Sequence, residues 1–116
     1  MGTTVPNSIR AVYSYVSYQH YVFREQYTTM NPKHLYYFWK VAKHGGVLRA
    51  GEAIHISPQT LSGQIKLLEE QFGTALFKRK GRSLELTEAG KLAFEYADEM
   101  FVLGAELDQV IRHFPT

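Results

Sequence analysis

The stretch from Gly46 to Glu70 constrains the fold more than any other part of the chain. It reads as two helical segments joined by so few residues that the helices must cross steeply. Ser57 is suited to cap the second helix, since its hydroxyl can accept from free amides of the next turn, and Pro58 stands where a missing N–H costs nothing. Ala50 and Gly51 provide the small side chains that a close helix crossing needs. The stretch therefore predicts a helix-turn-helix.

The second helix of this pair has one apolar and one polar side. Its predicted inward stripe consists of Leu61, Ile65, Leu68 and Phe72. The opposite side carries amide and hydroxyl groups, which can donate to and accept from base edges in a major groove, and Gln can form a bidentate pair with adenine. The residues expected to contact bases are Pro58, Gln59, Thr60, Ser62 and Gln64, of which Pro58 and Thr60 would contact thymine methyl groups. Such a face is more often only solvated, but the cap, the turn, the small-residue pair and the basic segment that follows favour DNA binding.

The segment after this helix predicts a basic β-hairpin. Leu84 and Leu86 alternate about a polar residue, and Gly81 supplies a turn. Four of the five residues from 78 to 82 are cationic, which a merely solvated loop would not need. The residues expected to meet phosphates or the minor groove are Ser57, Lys66, Lys78, Arg79, Lys80 and Arg82. Arg82 is expected to enter the minor groove, whose negative potential attracts arginine, whereas Arg79 could instead tie the hairpin to the core.

A first helix is predicted upstream, and a long one downstream. The first begins at Asn31 and Pro32, ends at Gly45 and Gly46, and has an inward stripe of Leu35, Phe38, Trp39 and Ala42. We interpret Trp39 as a packing residue rather than a base-stacking one. The last helix begins at Thr87 and carries two apolar stripes. The residues expected to form a dimer seam are Tyr96, Met100, Leu103 and Leu107, and the second stripe consists of Phe94, Ala97, Phe101 and Ala105. The alternative is that this helix serves only the core of one chain.

The distribution of charge agrees with a nucleic-acid partner for one half of the chain. The net charge is only +2, but residues 30–83 hold nine Lys or Arg against three Glu, and residues 84–116 hold two against seven Asp or Glu. A basic half suits phosphates. The chain has no cysteine, its five histidines show no metal-ligand spacing, and it has no phosphate-binding glycine loop or nucleophile elbow. We therefore expect no metal, no cofactor and no catalysis, and the lack of cysteine fits a cytoplasmic protein.

Residues 1–29 differ from the rest, with five tyrosines and no clean helical or alternating period. They are neither a signal peptide nor a membrane span, because polar residues interrupt every apolar run. We interpret them as a poorly ordered extension, translated from upstream of a true start at Met30. The alternative, an arm that stacks aromatic rings on DNA, is disfavoured because Arg10 and Arg24 are its only Lys or Arg side chains.

Several motifs together resemble the N-terminal domain of LysR-type transcriptional regulators. These are Ala50-Gly51-Glu52-Ala53-Ile54, Ser57-Pro58-Gln59-Thr60-Leu61-Ser62, Gln64-Ile65, Leu68-Glu69, Phe72-Gly73, Leu76-Phe77, Arg79 and Leu86-Thr87-Glu88-Ala89-Gly90. The resemblance covers roughly residues 30–112 and implies a mainly α fold. It implies a winged helix-turn-helix of three helices and a short β-hairpin wing over 30–86, followed by a linker and dimerisation helix over 87–113.

The same resemblance implies a sequence-specific transcription regulator that binds double-stranded DNA as a homodimer. The effector-binding part of such regulators is absent from these 116 residues. Gly63 stands where a long side chain is common in the family, so one base contact is expected to be lost. The alternatives are a winged-helix module that binds proteins without sequence-specific DNA binding, and an RNA-binding protein, which would need exposed aromatic side chains on a sheet.

Overall fold

The computed structural model describes residues 30–115 and has the predicted winged helix-turn-helix architecture. Its elements, in chain order, are α1 (Pro32–His44), α2 (Val47–Ile54), α3 (Pro58–Phe72), β1 (Phe77–Lys80), β2 (Ser83–Leu86) and α4 (Glu88–Arg112). The interpretation of residues 1–29 lies outside the described residues. Helix α1 packs against α2, α3 and α4, so it forms the centre of the core.

Helix α1 is capped at both ends as its sequence predicts. The Asn31 side chain accepts from the backbone N–H of Lys33, and Gly45 ends the helix in the left-handed conformation at φ 78°. The buried side of α1 is wider than the predicted stripe, since His34 and Tyr37 are buried as well. Ala42 is only half-buried, and Val41 is buried in its place, because α1 is contacted by three helices and buries a wider arc than a simple stripe.

The junction between α2 and α3 depends on the small residues predicted there. Ala50 and Gly51 are both buried, and a Cβ atom added to Gly51 would lie 2.6 Å from the Ile56 carbonyl oxygen. His55 carries the turn in the left-handed conformation at φ 59°, and its N–H bonds to the carbonyl of Gly51. A larger residue at position 51 would push α3 away from α2.

Helix α3 begins and packs as predicted, except at its last residue. Ser57 caps it through the Thr60 N–H, and Leu61, Ile65 and Leu68 are buried. The assignment of Phe72 to the inward stripe was wrong, since this side chain is 43% exposed. The helix stops at Gly73 directly after it, and the chain re-enters the core at Leu76 instead.

The wing is a two-stranded antiparallel hairpin in which Phe77 pairs with Leu86 and Lys80 with Ser83. Alternation places Phe77, Leu84 and Leu86 on one face, and all three pack against the core. The ring of Phe77 lies 5.2 Å from that of Phe38. The predicted hairpin is thus held to α1 by its apolar face.

Helix α4 is anchored at its start and exposed at its end. Thr87 caps it by accepting from the Gly90 N–H, and Gly90 lies so close to the backbone of Leu76 that any Cβ would collide with its carbonyl. Within the second predicted stripe, Ala97 is buried and both Phe94 and Phe101 pack on the core. The fourth member, Ala105, is exposed instead, because the core of one chain does not extend that far along the helix. None of the helices within residues 30–115 is long and apolar enough to cross a membrane.

Candidate DNA interface

The side of α3 that faces away from the core carries the residues predicted to read bases. Gln59, Thr60 and Ser62 are exposed, whereas Pro58 and Gln64 are half-buried at the edges of this face. Among residues 30–115 no side-chain hydrogen bond engages Gln59, Ser62 or Gln64. Their donors and acceptors are therefore available to a ligand. We call this surface the reading face.

The first turn of α3 is fixed by bonds of its own. The Ser57 hydroxyl accepts from the Thr60 N–H at 3.1 Å and donates to the Thr60 hydroxyl oxygen at 2.8 Å. Ser57 is thus occupied as a cap, which leaves less of it for the predicted phosphate contact. The Thr60 hydroxyl is engaged by the same bond, so its methyl group is the part left for an outside contact.

The wing presents its four cations at the surface, because Lys78, Arg79, Lys80 and Arg82 are all exposed. Arg79 shares the hairpin face of Phe77 but lies beyond the core, and within the described part of the chain it makes no ion pair. Gly81 forms the turn at φ 63°. The tip of the wing is therefore strongly basic.

One acidic residue that belongs to the acidic half of the sequence lies within the basic wing. Glu85 lies directly across the hairpin from Lys78, and its carboxylate is 3.7 Å from the Lys80 ammonium. The register that brings them together follows from the alternation of Leu84 and Leu86 about Glu85, which was the available signal. Glu85 offsets part of the charge that Lys78 and Lys80 would offer to a phosphate.

Helix α4 leaves the predicted dimer seam uncovered. The exposed fraction is 55% for Tyr96, 46% for Leu103 and 62% for Leu107, and Met100 is also exposed. Leu92, one turn before Tyr96, lies on the same side and is exposed too, although it was not assigned to the seam. We call these five residues the α4 stripe. Phe94, Ala97 and Phe101 of the second stripe pack on the core of their own chain, whereas the α4 stripe stays exposed.

A polar contact that the sequence did not predict joins α1 to α4. The indole N–H of Trp39 donates to the Asp98 carboxylate at 3.0 Å, and the Lys43 ammonium is 3.8 Å from the same carboxylate. The Phe101 ring lies 4.9 Å from the Trp39 ring and 5.5 Å from the Tyr36 ring. Trp39 is thus a packing residue, as interpreted from the sequence, and it holds α4 to the core. We call these five residues the α1–α4 clamp.

Nothing in residues 30–115 brings three His, Asp or Glu side chains together as a metal site would require.

Comparison with known proteins identifies the family to which this winged helix-turn-helix belongs. Residues 32–91 match the family of bacterial regulatory helix-turn-helix proteins of the lysR type. The chain belongs to the LysR family. Its three core helices, its wing and the start of α4 all lie within the matched LysR-type segment.

Two LysR-type relatives show how far the likeness extends along the chain. The transcriptional activator protein NhaR of Escherichia coli is 50% identical over 84 residues, which are 72% of this chain and 28% of NhaR. The HTH-type transcriptional regulator BudR of Klebsiella aerogenes is 46% identical over 74 residues, or 64% of this chain and 52% of BudR. The chain therefore spans about a quarter to a half of the length of these relatives.

Solved structures of LysR-type DNA-binding domains have the same fold. The BenM DNA-binding domain in complex with catB site 1 DNA superposes with a TM-score of 0.66 at 28% identity, covering 72% of this chain and 89% of that one. The CbnR DNA-binding domain in complex with DNA superposes with a TM-score of 0.63 at 31% identity, covering 72% of this chain and 95% of that one. This chain therefore contains a LysR-type DNA-binding domain.

Proposed function

We propose that this LysR-type domain binds duplex DNA as a homodimer and reads sequence through α3. The proposal rests on one observation: within residues 30–115 the side chains of Gln59, Ser62 and Gln64 make no hydrogen bond, and Gln59 and Ser62 are exposed, while the opposite side of α3 is buried. A face of free amides and hydroxyls beside a cationic hairpin suits a base-lined groove walled by phosphates. A protein-interaction module would give the wing cations no reason to cluster.

In this proposal the reading face divides into polar and apolar contacts. Gln59, Ser62 and Gln64 reach base edges, and a glutamine pairing bidentately with adenine distinguishes it from the other bases. Pro58 and the Thr60 methyl contact thymine methyl groups. Gln64, which is half-buried, approaches from the side of α3 rather than from its centre.

The phosphate contacts come from both sides of the reading face. Lys66, on α3, and Lys78, Arg79 and Lys80, on the wing, meet the backbone, and the cap at Ser57 brings backbone amides near it as well. Arg82, next to the exposed turn of the wing, enters the minor groove. These contacts set the position of α3 without themselves selecting a sequence.

The dimer forms through the α4 stripe, and residues 87–113, which consist of α4 and its two capping residues, act as the linker that follows the 30–86 domain. One helix-turn-helix contacts few phosphates, so a monomer would bind little better than the nonspecific range of about 10⁻⁴–10⁻⁶ M. Two copies would read half-sites about one helical turn or a multiple of it apart, arranged as an inverted repeat. We further propose a cytoplasmic role in transcription that involves binding and no catalysis, since the named relatives are regulators.

The proposal is tested by selecting duplexes from a random pool with the wild-type protein and measuring their affinity by fluorescence anisotropy. We expect an inverted repeat to be selected. Gln59→Ala should cost about 1–3 kcal/mol and relax preference at one base pair in each half-site. Gln71→Ala, which removes an exposed Gln near the other end of α3, is the matched control and should change nothing. A pool that yields no preferred sequence, or equal specificity in the Gln59 variant, would refute this function.

The wing is tested by salt titration with the same duplex. Removing one cation that contacts only phosphate, as in Lys78→Ala, should weaken all sequences alike and lower the salt slope by about one. Arg82→Ala should instead weaken duplexes with A·T-rich flanks the most, because their narrow minor groove attracts arginine. Equal losses on A·T-rich and G·C-rich flanks would move Arg82 to the phosphate-contact group.

A further inference from the structure

The middle of the reading face has no side chain. Gly63 is exposed at a helical position, and the same side of α3 carries Gln59 one turn before it and Lys66 one turn after it. The row of outward side chains along α3 is therefore interrupted at its centre.

Nothing within residues 30–115 requires glycine at this position. A Cβ atom added to Gly63 would meet no atom within 4 Å, and the backbone there is ordinary α-helix rather than left-handed. Gly51 and Gly90 differ, because a Cβ there would collide with a carbonyl oxygen. Glycine is also the least favourable helix-interior residue after proline, because it loses the most backbone freedom on folding. The fold would be more stable with alanine at 63.

We propose that Gly63 is a close-approach point, where the backbone of α3 rests against the floor of the major groove. Helical Cα atoms lie about 2.3 Å from the axis, whereas side chains extend the radius to about 5–6 Å. Without a side chain at 63, α3 can sit deeper in the groove at that point, with Gln59 and Lys66 reaching past on either side. The inference rests on the proposed DNA binding and adds a determinant of its specificity.

Depth in the groove matters for base contacts more than for phosphate contacts. A side chain of moderate length reaches a base edge only if the helix is close, whereas lysines and arginines on flexible stems adjust to a small displacement. A methyl group at 63 would hold α3 away from the bases of the preferred sequence. Nonspecific binding, which depends on phosphates, would be largely retained.

The test measures folding and binding on the same variant, Gly63→Ala, in the full chain. We expect its melting temperature to rise by roughly 4 °C, as a better helix former should give. Its affinity for the duplex selected by the wild-type protein should fall about tenfold, the effect expected from overfilling a close-packed contact, while affinity for unrelated duplex DNA changes less than twofold. Gly104→Ala supplies the thermal control, because Gly104 is also a helical glycine with open space around it.

A Gly63→Ala protein that is more stable and binds the selected duplex as tightly as wild type, or more tightly, would overturn the inference. Equal losses on selected and unrelated duplexes would overturn it too, because they would indicate a changed phosphate contact. A wild-type protein that selects no sequence would instead refute the proposed function, so the two failures are distinguishable.

Discussion

The dimer seam gives the most direct test of the assembly, through the substitution Leu103→Glu. Leu103 lies near the middle of the α4 stripe and is 46% exposed, so about half of its side chain remains for a partner to cover. Full burial of a leucine side chain stabilises a structure by about 1.5–3 kcal/mol, so covering the exposed half of Leu103 stabilises the dimer by roughly 1 kcal/mol for each chain. A dimer would lose about 2 kcal/mol from the two copies of this residue alone.

The glutamate adds a second cost. Two carboxylates brought into an apolar seam must be desolvated or protonated, which adds at least about 1 kcal/mol. A total of about 3 kcal/mol corresponds to more than a hundredfold weaker dimerisation. Because the side chain is exposed in one chain, the monomer should keep its fold and its helical circular dichroism.

Sedimentation velocity at micromolar concentration measures the effect. We expect a wild-type dimer, a Leu103→Glu monomer, and greatly weakened binding of the variant to the selected duplex. Val102→Glu is the matched control, because Val102 is 52% exposed on the same helix but projects away from the α4 stripe. It should leave the dimer intact. A dimeric Leu103→Glu protein with full DNA affinity would show that the α4 stripe is not the seam.

Three further substitutions test other contacts. Glu85→Gln removes the acid beside Lys80, so affinity for DNA should rise a few-fold at low salt and the salt slope should steepen; an unchanged titration would place this side of the wing away from phosphates. Asp98→Ala leaves the buried Trp39 indole N–H without its acceptor and should cost about 2 kcal/mol in chemical denaturation, whereas Asp108→Ala, at an exposed pair, should cost less than about 0.5 kcal/mol. Gly90→Ala forces the start of α4 away from the backbone of Leu76 and should cost about 3 kcal/mol or more; an unchanged unfolding midpoint would contradict the close packing found there.

The parts of the fold that local chemistry determines could be predicted from the sequence. Asn31, Ser57 and Thr87 each cap a helix in the predicted place, and Gly81 turns the hairpin. Each of these features depends on a few neighbouring residues, so it can be predicted from the sequence without knowledge of the fold. The proposed roles of the reading-face residues remain predictions, since they depend on a partner molecule.

The features that the sequence did not predict depend on how segments of the chain meet in the folded structure. Asp98 meets Trp39 across 59 positions, and nothing near either residue signals the pair. Glu85 reads as one acid in an acidic half until the register of the hairpin sets it beside Lys80. Phe72 falls at helical spacing from the buried residues of α3, but its exposure depends on where the next segment enters the core.

The α1–α4 clamp holds α4 at one point, so the part of α4 beyond the clamp forms a lever arm. Beyond Asp98 the helix continues to Arg112, and at 1.5 Å per residue this arm is about 21 Å long. A tilt of about 10° about the clamp would move the far end of the arm by roughly 4 Å, close to the 3.4 Å rise of one base-pair step. In the proposed dimer, small changes where Trp39, Asp98 and Phe101 meet would therefore alter the distance between the two reading faces.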